Sequence, residues 1–126
     1  MLTEKTIEQI PIIASIASVC HAANCAYCVA VGDPTLPAWE DLEESYRESA
    51  RVGVRFALQG GVTPAEQHES WRRERLAQGW TWGNVLDRAA KIHPNLVPYE
   101  DLPLIQRKKD ALFQAIVRAL ANEGGA

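Results

Sequence analysis

The chain lacks an excess of basic charge: 13 Lys and Arg stand against 16 Asp and Glu, for a formal net charge of −3. That balance gives no electrostatic reason to expect a DNA or RNA duplex as partner, and no basic stripe interleaved with aromatics accompanies it. Nor does any uninterrupted apolar run approach the ~20 residues of a membrane span. The segment "IPIIASIASVC" at 10–20 is broken by Pro11 and Ser15, so no membrane partner is expected. The acidic flank Glu4 and Glu8, with bulky Val19 just before Cys20, argues against an export leader. Three cysteines, an odd number, close no disulfide framework, and without an export signal they indicate a cytoplasmic location. Neither an internal repeat nor a low-complexity tract is evident. At 126 residues the chain reads as one domain, 1–126. A chain of that size buries roughly two thirds of its unfolded surface, so stability requires neither metal nor disulfide.

What is present is helical patterning. From Ile12 to Val31 apolar residues fall at 13, 16, 17, 20, 27, 28 and 31, the three-and-four spacing of an amphipathic helix, and Gly32 stops it. A loop with two prolines follows, and Asp41 with Glu44 forms a capping pattern for a second helix reaching the glycine pair 60–61. Thr63, Pro64 and Glu66 form a strong helix start, and the third helix ends at Gly79. Its polar sequence, "AEQHESWRRERLAQ", leaves one face solvated or occupied by a partner. The aromatics, glycines and prolines between Gly79 and Pro103 predict a small β-hairpin-like element. Leu104 to Ala121 is a fourth amphipathic helix, so the expected fold class is mainly α: four helices with the β element between the third and fourth. Residues 1–11 and 122–126 are expected to be flexible ends.

The stretch "VCHAANCAYCVAVGD" at 19–33 invites a metal reading, because His21, Cys25 and Cys28 project within roughly 60° of one another on a helix. Structural zinc takes four ligands from two chain segments, and neither His68 nor His93 lies in a paired ligand motif, so no metal or other cofactor is expected. Buried cysteines acting as small hydrophobes account for the cluster. A cysteine nucleophile needs an imidazole within reach and a third group to orient it, and only the first two residue types are here. No motif carries a reaction mechanism, and the chain reads as a non-enzyme.

The aromatic segment is more informative. Trp80 and Trp82 stand one residue apart, so an extended strand turns both to one face, with Trp39 or Tyr99 opposite. Such a wall stacks a purine, whereas the alternative is tryptophans packed beneath helices. Lys91, His93, Arg72 and Arg75 are candidate phosphate partners, and Asp87, Asn84 and Asn24 are candidates for base edges or ribose hydroxyls. Each also has a structural reading: Asp87 as a turn cap, His93 before Pro94 as extended backbone, the arginines as a solvated helix face.

These blocks carry a family resemblance. "HESW" at 68–71, "GWTWG" at 79–83, Asp87, "KIHPNLVPY" at 91–99, and Leu102, Pro103, Lys109 and Asp110 resemble the RyR domain. This module is repeated in the cytoplasmic part of ryanodine receptors and is found in small bacterial and phage proteins. In front, His21, Asn24, Tyr27 and Cys28, then Gly32-Asp33 and Trp39-Glu40, resemble the stand-alone prokaryotic members. Trp82 stands where the family has Tyr, Leu86 where a Lys is common, and Cys20 and Cys25 where a small and a basic residue are expected. The resemblance implies a mostly helical domain, with its rear motif core at 64–121, and no catalytic activity. It implies a ligand derived from a nucleotide, of cyclic-nucleotide or ADP-ribose type, which in a phage protein would be a sequestered host defence signal. The expected ligand set is Trp80, Trp82, Lys91, His93, Tyr99, Asp87, Trp39, Asn24, His21 and Arg72. A homo-oligomer is the expected assembly, and a protein-interaction module without a small ligand is the alternative function.

Overall fold

The computed structural model describes residues 4–33 and 36–125, with side-chain burial described over 12–33 and 36–121. Four helices form it: α1 (Glu4–Val31), α2 (Glu44–Ala57), α3 (Pro64–Ala77) and α4 (Leu104–Gly125). The fold is mainly α, as the periodicity predicts. α1 starts well ahead of Ile12 and runs through Pro11, and α4 passes Ala121. Of the ends expected to be flexible, residues 1–3 and 126 lie outside the described residues. α3 opens on the full capping box: Thr63 Oγ1 accepts the Glu66 N–H at 3.1 Å, and Glu66 Oε1 accepts the Thr63 N–H at 2.9 Å. The start of α2 differs from expectation. Asp41 closes a 3-10 turn, Trp39–Asp41, and the N-cap is Glu43, whose side chain makes no cap hydrogen bond.

α1 also corrects the hydropathy reading. Its segment Ile12–Val31 has a mean hydropathy of 1.6 and is long and apolar enough to cross a membrane by length and composition. The polar interruptions Ser15, His21 and Asn24 are outweighed by the alanines, valines, isoleucines and cysteines between them. In the fold, one side of this helix forms the core: Ile13, Ile16, Ala17 and Cys20 pack with Val54 of α2 and Val117 of α4, and Phe113, Ile116 and Leu120 close around them. Each such aliphatic side chain contributes roughly 1.5–3 kcal/mol on burial. α1 and α3 each pack against both α2 and α4.

The small β element lies where expected but is not a hairpin. β1 (Thr81–Trp82) and β2 (Ile92–His93) run parallel, pairing Thr81 with Ile92 and Trp82 with His93. An antiparallel bridge, Asp87 to Ile92, folds the connection back between them, and Lys91 turns with φ 57°. That left-handed turn lets the chain reverse and enter β2 in the direction of β1.

Contrary to the sequence reading, the fold does contain a repeat. In each half a histidine on the first helix binds a carbonyl in the loop ahead of a 3-10 turn: His21 Nε2 to Pro37 O at 2.6 Å, and His68 Nε2 to Val97 O at 2.8 Å. Gly32 follows His21, and Gly79 follows His68, by eleven positions, each with positive φ (73° and 91°). The 3-10 turns are Trp39-Glu40-Asp41 and Tyr99-Glu100-Asp101, each closed by a leucine N–H (Leu42, Leu102) on the aromatic's carbonyl at 3.2 and 3.1 Å. Each aromatic ring sits against its histidine, with centroids 5.9 and 6.1 Å apart. Eight positions beyond each aromatic an arginine ties down the turn, Arg47 on Trp39 O and Arg107 on Leu102 O. Seven positions separate Gly32 from Trp39, whereas twenty separate Gly79 from Tyr99. The added length in the second half holds both strands.

Candidate functional site

Matching positions of the two halves line one cleft of about 600 Å³. From the first helices come His21, Asn24 and Cys28 of α1 and His68, Trp71 and Arg75 of α3. From the second helices come Tyr46, Ser49, Ala50 and Gly53, matched by Gln106, Lys109, Asp110 and Phe113. Asp33 and Trp80, each directly after the positive-φ glycine of its half, complete the correspondence. The volume lies within the ~300–1,000 Å³ range of small-molecule sites.

The second half supplies the chemistry. The Arg75 guanidinium is buried, with Tyr46, Trp71 and Trp80 ring centroids at 5.6, 5.7 and 5.6 Å. A cation held by three ring faces is stabilised by their quadrupoles. Burial lowers the Arg75 pKa from its usual value, against the opposing charges of Glu74 and Tyr46. Arg75 Nη1 donates to Gln78 Oε1 at 3.2 Å and lies 3.7 Å from Glu74, which accepts the Ser49 hydroxyl at 2.6 Å. At another wall, Asp33 accepts from Lys109 Nζ and Gln106 Nε2, both at 2.9 Å, and Asn95 donates to Gln106. The Lys109 hydrogen bond, then that of Gln106, holds the Asp33 carboxyl below the usual carboxylate range. This network ties the end of α1 to α4.

His93 and Asp110, both lining the cleft, depart further from their ordinary values. His93 is pushed down to about 4, first by burial and then by Arg75, Arg88, Lys109 and His68. Its Nδ1 accepts the Asn95 N–H at 3.0 Å, which fixes a neutral ring with its proton on Nε2. Asp110 is pushed up to about 7 by burial, with Lys109 opposing. Its Oδ2 lies 4.0 Å from His68 Nδ1.

His21, Asn24, Trp80 and His93 of the expected ligand set line this cleft. The other members lie elsewhere. Trp80 and Trp82 do not share a face: Trp80 precedes β1 and is 5% exposed, whereas Trp82 is 54% exposed and donates its indole N–H to Pro94 O at 3.2 Å. Asp87 caps its turn through the Ala90 N–H, and Lys91 caps α3 through Gln78 O. Arg72 pairs with Glu69. Tyr99 sits between His68 and Arg107, and Trp39 packs on the core.

Trp71, Tyr46, Lys109, Asp110 and Asp33 were not in that set. Trp71 and Arg75 share a face with His68 at the i, i+3, i+7 spacing of α3, a signal present in the sequence. Nothing local marked Tyr46. Cys20 and Cys28 are buried free thiols, and burial pushes Cys20 up to about 12, far from a reactive thiolate. Among the described residues no group of three or more His, Cys, Asp or Glu is placed to hold a metal ion.

The RyR domain family model matches residues 62–124, the whole of the second half with its histidine, its strands and its 3-10 turn. That match spans half the chain, and the protein belongs to the RyR domain family.

Proposed function

We propose that this protein is a non-enzymatic cytoplasmic module that captures a small nucleotide-derived ligand of cyclic-nucleotide or ADP-ribose type in the cleft between its halves. The observation carrying the reading is the Arg75 guanidinium enclosed by Tyr46, Trp71 and Trp80, with Lys109 on the facing helix of the same cleft. Indole faces stack a base, and buried guanidinium and ammonium groups hold phosphate. The walls are chemically unequal, Asn24 and Cys28 against Trp71 and Arg75, which suits a ligand with one base-bearing anionic end better than one with two equal ends. Capture without turnover fits sensing, or sequestration of a host signal in a phage setting.

Calorimetry with ADP-ribose, cyclic ADP-ribose and cyclic dinucleotides tests this. Trp71→Ala is expected to weaken binding by roughly 10- to 100-fold, corresponding to ~1–3 kcal/mol of base stacking, and the ligand should return unaltered after denaturation. A parent protein silent toward the whole panel would sink the proposal.

A second reading, self-association, is favoured by one observation: Ile12, Val19 and Val29 of α1 are 43%, 45% and 65% exposed. A ligand-insensitive dimer by light scattering that Val19→Lys dissociates would support it.

A further inference from the structure

Apart from the exposed Arg88, the charged groups of the cleft are engaged with one exception. Glu74 accepts from Ser49 and faces Arg75, and Asp33 accepts from Lys109 and Gln106. Arg75 is held by Gln78 and three rings, and Cys28 Sγ leans on Asn24 Oδ1. His93 Nδ1 is taken by the Asn95 N–H. Asp110 is different: among the described residues no donor lies within hydrogen-bond distance of its carboxyl, although it lines the cleft and is only one-fifth exposed, at 20%. His68 uses its Nε2 on Val97 O, and its Nδ1 stands 4.0 Å from Asp110 Oδ2, beyond hydrogen-bond distance.

A carboxyl four-fifths covered, with only the water of the cleft to solvate its charge, is held toward its neutral form. We propose that Asp110 recognises a pair of hydrogen-bond donors on the ligand, either the vicinal hydroxyls of a ribose or the amino edge of a base. It accepts them as a carboxylate and releases its proton to solvent as the ligand enters. This rests on the nucleotide reading above and adds the ligand feature that is read and the proton coupled to it. An incoming donor pair supplies the partners that the fold withholds, so binding favours the ionised form. Free Asp110 carries its proton through mildly acidic pH, with its midpoint at about 7. Affinity therefore rises with pH across that midpoint, while Asp33, held low by Lys109 and Gln106, stays ionised throughout.

The test is titration of the full chain with ADP-ribose at about pH 6 and about pH 8, in buffers of different ionisation heat. Binding up to about tenfold tighter at the higher pH, with close to one proton released per ligand at the lower, is expected. Asp110→Asn should bind more weakly at the higher pH, release no proton and lose the pH dependence. The 2′-deoxy form of the adenine-bearing ribose and the hypoxanthine form identify the source, since only the analogue lacking the recognised donor loses the proton release. Equal affinity at both pH values, unaltered pH dependence in Asp110→Asn, retained release with both analogues, or ADP-ribose silence at both pH values overturns the proposal. The nucleotide reading itself falls only if the whole panel is silent.

Discussion

The two halves of this protein share a scaffold and divide the labour. Both use a helical histidine to hold a loop carbonyl, a positive-φ glycine to leave the helix, and a 3-10 turn closed by leucine to enter the next. Yet the first half buries Ile13, Ile16, Ala17, Cys20, Cys28 and Val54 with Ser49 as its one buried polar residue among the described residues, while the second buries Gln67, His68, Arg75 and Gln114 beside Trp80, Leu96, Leu102 and Val117. Positions that fix the backbone are alike, and positions that line the cleft are not: Asn24 corresponds to Trp71, Cys28 to Arg75, and Ala50 to Asp110. The second half thus spends about half of its buried positions on polar groups, which return little net energy even when paired.

The sharpest test compares the two histidines. His68 is 3% exposed, packed against Trp71 and Tyr99 as well as bonded to Val97 O. His68→Ala leaves a cavity and a carbonyl without its donor, and should cost roughly 3–4 kcal/mol in urea unfolding. His21, at the solvent side, should cost about 1 kcal/mol when changed to Ala, because water replaces its bond to Pro37 O. Equal costs would break the division between the halves.

The next effect is on the pH dependence of stability. Asp110 holds its proton up to about 7 when folded, far above the usual carboxylate value, so the folded state binds more protons than the unfolded, and stability falls as pH rises from about 4 to about 7. His93, held down to about 4, works oppositely: the unfolded chain takes its proton first, so stability falls as pH drops from about 6.5 to about 4. In the parent the two trends largely offset between these limits. Asp110→Asn should raise stability at pH ~8 by on the order of 3 kcal/mol, and expose the His93 slope as a midpoint that climbs steadily from pH ~4 to ~6.5. Denaturant midpoints across that range read both.

How much of this was legible in the sequence follows the range of each interaction. The capping box at Thr63–Glu66 and the four helical periodicities are local and all appear, although α1 begins ahead of Ile12 and α2 is capped at Glu43 and not at Asp41. The strand direction depends on how the turn at 87–91 folds back, which composition does not specify, so a parallel pair replaced the expected hairpin. Trp80 and Trp82 obey the alternation of an extended strand only if both belong to one, and Trp80 precedes it. The repeat was hidden because the strand insertion shifts its register midway: His21 and His68 are related by one offset, Trp39 and Tyr99 by a larger one. With so few shared residues, no constant period survives. Asp110 and Tyr46 reach the cleft only through tertiary packing.

The insertion that distinguishes the halves has its own weak point. A Cβ on Gly83 would collide with Ile92 Cγ2, because β1 leaves its pairing with β2 at that position. Gly83→Ala should destabilise by about 1–2 kcal/mol through overpacking. Helix content by circular dichroism should hold while the Trp82 fluorescence changes. An unaltered spectrum would mean that the strands are not rigidly joined.

The smallest effect concerns helix starts. α3 has a complete box at Thr63, whereas α2 begins at Glu43 with no side-chain cap, although the backbone there has the same extended geometry (ψ 149° against 159°). A glutamate reaches too far to bond the first-turn N–H groups, while aspartate at an N-cap does so and keeps the negative charge beside the helix N-terminus. Glu43→Asp should therefore stabilise by about 0.5–1 kcal/mol, a rise of a few degrees in Tm, and Thr63→Ala should lose about as much. The Glu43 carbonyl already accepts the Tyr46 and Arg47 N–H groups at 3.0 and 3.2 Å, but the Ser45 N–H has no such bond among the described residues. If Glu43→Asp gains nothing, water satisfies that donor as well as a carboxylate does, and the missing cap is no defect of the first half.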